Sequence, residues 1–246
     1  MEVKERLYSA YVSSGQAGST VLSQLEQEKA LFSNNGPYIL QLITRHIPAD
    51  RGVRIVDLGC GHGTYIHFLK QKGYHNLIGI DASAEQVDLA HRLDMPEVQC
   101  GDIKEFLEHD SQSVGVVLLM DILEHLPLQA IMELLDSVYL KLKKGGKLII
   151  HVPNAEGLFG MRMRYGDLTH DHAFTPSSMR QLLKTIGFST VRYSEDKPIV
   201  HGVKSLVRRV VWDVLTVPHR LLLMAETGET KFVLTQNMLV IAQKEA

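Results

Sequence analysis

Cysteine is nearly absent from this chain: Cys60 and Cys100 are the two in 246 residues. Two thiols cannot build a disulfide framework, so a reducing, cytoplasmic setting is expected. An excess of one charge is also missing. The 26 basic and 28 acidic side chains leave a net charge of −2, which argues against a protein whose affinity comes from neutralising phosphate backbones, and no nucleic-acid partner is expected. Long apolar runs are lacking too. The run from Val116 to Met120 falls far short of the ~20 residues that cross a bilayer. The opening MEVKERLYSAYVSSG has no apolar stretch behind its charges and does not read as a signal peptide. There is no internal repeat and no low-complexity linker. What is present is 45% apolar and 22% charged residues, enough for one sizeable core in a globular domain.

From residue 54 onward strand-like and helix-like stretches alternate. Arg54 to Leu58, Leu77 to Asp81, Glu97 to Cys100, Val114 to Met120 and Lys147 to Val152 read as strands. Strands apolar on both faces suit a parallel sheet covered by helices. Between them, Tyr65 to Lys72 and Ala84 to Leu93 have helical character, the second behind Ser83 as N-cap. Pro127 suits the first turn of a helix whose apolar residues recur from Leu128 to Leu142, with Gly145-Gly146 expected to end it. Residues 17–47 read as one or two helices, Ser177 to Ile186 as a helix, Phe188 to Tyr193 and Met238 to Ala242 as strands. The expected fold is α/β, an open, doubly wound, mostly parallel sheet in one domain. Residues 1–47 form an N-terminal helical lid, 50–193 the core, 194–231 a helical insert and 232–246 the last strand.

Val56-Asp-Leu-Gly-Cys-Gly-His-Gly63 sits at the first strand-to-helix turn. Glycines there let backbone approach a ligand, and the next helix offers unpaired N–H groups. A dinucleotide fingerprint needs its third glycine at 64, where this chain has Thr64. No Lys-Ser/Thr pair makes a phosphate loop either. The loop therefore suits a nucleoside ligand without a pyrophosphate. Asp81 ends the second strand, where a carboxylate can accept both ribose hydroxyls. Asp102 follows the third strand and can accept from an adenine amino group while Ile103 packs on the ring. Each acid alone also reads as a helix cap or a solvated loop residue.

Asp57 to Gly63, then Asp81, then Gly101-Asp102, resemble the cofactor site of class I S-adenosylmethionine-dependent methyltransferases. The resemblance covers about residues 50–193 and continues into the last strand. It implies a seven-stranded, Rossmann-like sheet with an antiparallel final strand. It also implies S-adenosyl-L-methionine across the first strands' C-terminal ends, with Asp57, Gly59, Cys60, Gly61 and Gly63 at the methionine part. Asp81 and Ala82 are then at the ribose, Asp102 and Ile103 at the adenine, and Met120 and Asp121 beside them.

Met120-Asp-Ile-Leu-Glu-His-Leu126 resembles the matching segment of the ubiquinone-biosynthesis O-methyltransferases, whose acids and histidine sit beside the transferred methyl. Asp121, Glu124 and His125 are the candidates carried over, although Asp121 stands where those enzymes carry the longer Glu. The loop Tyr165 to Pro176 holds Asp167, His170, Asp171 and His172 at the ligand end of the sheet and looks like a segment of methyltransferases of sugar and surface-polysaccharide biosynthesis. Methyl transfer to a hydroxyl needs alignment and proton removal, and an imidazole is the natural base. His170, His172 and His125 are the candidates. Asp167, His170 and His172 read alternatively as ligands of a divalent metal, or as a polar loop fixed by hydrogen bonds.

In the insert, apolar residues recur at 203, 206, 207, 210, 214 and 217 with Arg208, Arg209 and Asp213 opposite, an amphipathic helix. It reads as a lid packed on its own domain or a homodimer contact, or as a peripheral membrane element through residues 201–226. Tyr11, in the N-terminal segment, is a candidate for the cofactor's carboxylate. The expected function is methylation of a sugar hydroxyl on a polysaccharide or its lipid- or nucleotide-linked precursor. The alternatives are a phenol or quinol O-methyltransferase, a non-catalytic cofactor-binding partner and a nucleotide-dependent oxidoreductase.

Overall fold

The apolar pattern around residue 54 becomes the centre of a seven-stranded sheet. In this computed structural model the described residues are Phe32 and 35–245. The strands are β1 (Ile55–Leu58), β2 (Leu77–Asp81), β3 (Val98–Cys100), β4 (Val114–Met120), β5 (Leu142–Pro153), β6 (Thr190–Glu195) and β7 (Asn237–Gln243). Their order is β3-β2-β1-β4-β5-β7-β6. The first five are parallel, and β7 is antiparallel to both β5 and β6. Strand order reverses between β1 and β4, and in such sheets ligands bind beyond the strand C-termini at that point.

Every residue of β1 and β4 is buried because both sheet faces are covered. Side chains alternate faces along each strand. Val56, Leu58, Val117, Leu119 and Ile150 pack with Leu107, Ile131, Leu135 and Leu183. These come from α4 (Ile103–His109), α5 (Leu128–Lys141) and α7 (Pro176–Ile186). Ile55, Val116, Leu118 and Ile149 face the other way, onto Ile39, Leu42, Ile66, Leu69 and Val87. Those belong to α1 (Gly36–His46), α2 (Thr64–Gln71) and α3 (Ala84–Arg92). The remaining helices are α6 (Gly160–Gly166), α8 (Val203–Leu215) and α9 (Val217–Thr227).

Local signals set most boundaries. Ser83 Oγ accepts from Gln86 N–H at the start of α3, and Thr175 and Ser178 form a capping box behind Pro176 at the start of α7. One expectation is corrected: α5 stops at Lys141 and not at Gly145-Gly146. Leu142 already pairs with Val114 while Lys147 pairs with Val116, so the two glycines lie in an irregularity of β5. Leu142 is buried there, and burial on the sheet outweighs the helical period that its position continues.

Arg54, just before β1, grips Asp110 at the end of α4 through two hydrogen bonds of 2.8 and 3.0 Å. Burial works to raise the Asp110 carboxyl, but the Arg54 guanidinium holds it below its ordinary value. The pair's stabilisation is therefore present at neutral pH and lost as the pH falls below ~4. Asp110→Ala is expected to lower stability by about 3 kcal/mol, since it strands a nearly buried guanidinium. Urea unfolding reads this directly, and a loss under ~1 kcal/mol would show the pair to be dispensable.

Candidate active site

A cavity of about 510 Å³ opens at the C-terminal edge of β1, β4 and β5. Asp57, Gly59, Cys60 and Gly61 form its floor, Met120, Asp121 and His151 one wall, and Asp196, Lys197, His201 and Arg208 of the insert another. Tyr38 of α1 and Tyr65 of α2 also line it.

The floor follows from the glycine loop. Gly59, Gly61 and Gly63 all have positive φ, and a Cβ on Gly59 would lie 2.1 Å from Ile122 Cδ1. Gly59 therefore admits no side chain without displacing the turn after β4. Gly61 N–H donates to Asp81 Oδ2 (2.7 Å) and Ser83 N–H to Asp81 Oδ1 (2.9 Å). Asp81 thus ties the loop to β2 while each oxygen keeps a lone pair for another donor. Asp102 is also the N-cap of α4, its Oδ1 accepting from Lys104 and Glu105 N–H. Ile103 packs partly against the core, and Ala82 O accepts from Cys100 Sγ. Gly63, Asp81, Ala82, Asp102 and Ile103 lie at the neighbouring strand ends and not in the cavity lining. Tyr11 falls outside the described residues.

Asp57 is 1% exposed, and neither of its carboxylate oxygens has a hydrogen-bond partner among the described residues. Burial, helped by Asp81, pushes its carboxyl up to about 7. A lone buried carboxylate in a cavity floor is costly unless a donor or cation meets it.

His151 was not anticipated. It lies near the end of β5 beside Met120 of β4, with Nδ1 donating to Asp121 Oδ1 at 2.5 Å and Nε2 lying 3.3 Å from Asp196 Oδ2. Asp121 reaches it from a left-handed backbone, φ +57, a strained conformation that clusters at functional sites. Burial lowers the His151 pKa, but Asp121 and Asp196 more than offset this and hold it well above the ordinary imidazole value. Tyr38 meets the ring edge-on. Burial first, then Asp196 and Asp121, keep its hydroxyl protonated.

The three histidines expected as bases do not line this cavity. The segment after β4 and the loop 165–176 do come together, in a second cluster beside it. Glu124 O accepts from Asp171 and His172 N–H. His125 Nδ1 donates to Thr169 Oγ1, which donates to Asp167 Oδ1. His170 Nδ1 donates to Met163 O. Each ring then keeps Nε2 as its acceptor nitrogen, and the two rings lie 4.6 Å apart. Burial and His170 lower the His125 pKa. Burial and Asp121 push the Glu124 carboxyl up to about 8. The alternative metal set of Asp167, His170 and His172 does not converge: Asp167 is engaged by Thr169 and the His172 ring tilts against Phe174. Glu124, His125 and His170 instead bring their ligating atoms within 4.8 Å of one another, a donor set that could hold a divalent cation.

Residues 29–193 match a family profile described as a methyltransferase domain. A ubiquinone biosynthesis O-methyltransferase of Xylella fastidiosa is 29% identical over 52% of this chain and 52% of its own length. One of Coxiella burnetii is 28% identical over 61% of this chain and 67% of its own. The aligned stretch thus spans about half of the first relative and two thirds of the second. A SAM-dependent methyltransferase from Archaeoglobus fulgidus superposes with a TM-score of 0.63 at 24% identity, covering 89% of this chain and 98% of that one. The seven strands and antiparallel final strand implied by the resemblance are seen here.

Proposed function

The chain belongs to the methyltransferase-domain family, and on that premise we propose that it is an S-adenosylmethionine-dependent O-methyltransferase acting on a sugar hydroxyl of a glycan or its lipid- or nucleotide-linked precursor. The observation that carries the cofactor reading is the buried Asp57 carboxylate, without a hydrogen-bond partner among the described residues, in a floor where Gly59 and Gly61 adopt positive φ. A ligand bearing a positive charge and needing close backbone approach fits that pair of features. Asp57 and the Gly59–Gly61 backbone would hold its amino-acid part, and Asp81, Asp102 and Ile103 its nucleoside. When bound, S-adenosylmethionine supplies an electrophilic methyl group on a sulfonium.

The chain's own residues supply alignment and proton removal. Asp121 holds His151 at Nδ1 and Asp196 lies 3.3 Å from its Nε2, in a ring that lines the cavity. A neutral His151, protonated on Nδ1, takes the acceptor hydroxyl's proton on Nε2 as that hydroxyl replaces Asp196 at the nitrogen. His151 is only 7% exposed, so little water reaches the ring. The sugar reading draws on the insert wall, where Asp196, Lys197, His201 and Arg208 offer polar and charged groups to a polyhydroxylated acceptor. The phenol or quinol alternative draws on the relatives' activity.

Transfer of labelled methyl into a cell extract, split into glycan, lipid-linked and small-molecule fractions, tests the choice. Label in glycan or lipid-linked material is expected. Label confined to small aromatic molecules would replace the sugar reading with the quinol one, and no label despite cofactor binding would point to a non-catalytic partner.

A further inference from the structure

Helix α8 lies on the protein with its polar side inward. Ser205 is buried, Trp212 and Asp213 are half-buried, and Arg208 lines the cavity. Outward point Val203, Leu206, Val207, Val210, Val214 and Leu215, each between 48 and 78% exposed. This is the reverse of a lid packed on its domain by an apolar face. Leu221 and Leu222 extend the exposed apolar surface along α9. Soluble chains rarely leave a contiguous apolar surface of this kind without an occupant.

A second exposed set belongs to α6 and its flanks: Phe159, Met161, Tyr165 and Leu168. It follows β5, whereas α8 follows β6. Both strands are antiparallel to β7, so they run the same way and end at the same edge of the sheet, where the cavity opens. Two separate apolar surfaces therefore emerge at the cavity edge.

Charge selects the occupant. Lys204 flanks the α8 stripe, and Arg162 and Arg164 accompany the α6 set. None of the three has an ion pair among the described residues. Asp213, the acid of α8, is engaged by Lys197 at 3.0 Å and Arg209 at 2.7 Å. Apolar faces edged by unpaired cations, with an aromatic among them, match an anionic bilayer surface. A second copy fits less well, since a two-fold contact through these faces would bring like charges together. Spanning is not the arrangement: no helix among the described residues is long and apolar enough to cross a membrane.

We propose that α8, α9 and the α6 segment seat the protein on an anionic lipid surface with the cavity edge turned toward it. The seating rests on exposure, charge and topology, and holds whatever the methyl acceptor is. A lipid-linked acceptor would then reach the cavity from the bilayer.

The test is flotation of the full chain with phosphatidylcholine vesicles, with and without about 30% phosphatidylglycerol. The unaltered chain is expected to float with the anionic vesicles and to be released by salt. The Val207→Glu/Val214→Glu double variant alters two exposed positions outside the cavity lining and is expected to lose at least about tenfold in vesicle binding. S-adenosylmethionine affinity should stay unchanged, which serves as the folding control. Absence of anionic-vesicle binding by the unaltered chain, or equal binding by both proteins, would overturn the proposal. So would a dimer in light scattering that the double variant abolishes while vesicle binding persists, since the apolar faces would then serve self-association.

Discussion

His151→Asn is expected to lower kcat by at least about a hundredfold, the usual contribution of a positioned proton acceptor, while S-adenosylmethionine affinity stays within about twofold. The effect falls on kcat because His151 reaches the acceptor side of the cavity and not the glycine floor. Asp121 and Asp196 hold its pKa well above the ordinary imidazole value, even against burial. The resting ring is therefore an imidazolium, and only the neutral ring can accept a proton. Activity should rise with pH along a limb above ~6.5, and that limb should vanish in the variant. The stability sign is opposite. A group whose pKa is raised by folding contributes fully below its unfolded value of ~6.5, and the contribution is lost as pH rises through the folded one. The enzyme should thus grow more active and less stable over the same alkaline interval. His151→Gln guards against a folding defect in the first variant. The loop histidines provide the contrast, since His170→Ala and His172→Ala should both retain the alkaline limb. If they erase it and His151→Asn does not, the proton acceptor sits in the second cluster.

Why His151 escaped the sequence reading is a matter of range. The glycine loop, Ser83 as a cap and the strand runs are local signals, in which residues a few positions apart act on one another. They were legible, and Asp57, Gly59, Cys60, Gly61, Met120 and Asp121 line one cavity. His151 gains its role from Asp121, 30 positions earlier, and Asp196, 45 positions later, through strand neighbours that sequence does not order. Its one visible mark was a titratable residue within the apolar run Leu148 to Val152, near the end of β5. The two motif segments were likewise legible singly, but their meeting, with Glu124 O holding the loop's N–H groups, was not. Periodicity in α8 revealed a stripe without saying which side would face the protein. In the fold Ser205 is buried and Trp212 half-buried on the inner side, and Lys197 reaches Asp213 from outside the helix.

Asp57→Asn is expected to weaken S-adenosylmethionine binding by about a hundredfold, near 2.7 kcal/mol, and to remove its dependence on pH. Asp57 is the buried acid of the cavity floor, pushed up to about 7 by burial and then by Asp81. Ligand-free molecules then carry it increasingly protonated as the pH falls below neutrality. A cationic ligand prefers the ionised form. Below pH 7 its binding must expel the proton, and affinity should fall by up to about tenfold per pH unit. Calorimetry at pH 6 in two buffers of different ionisation enthalpy should therefore register close to one proton released per ligand bound. The amide carries no charge to lose, so its affinity should be flat across the same range. Stability separates this loss from unfolding. The raised pKa means that the ionised carboxylate costs stability as pH rises through about 7. Removing the charge should leave the variant at least as stable as the parent at pH 8. A variant that binds within about twofold of the parent, with the same pH curve, would make Asp57 a neutral structural acid, and the ligand's charge would have to be met elsewhere in the cavity.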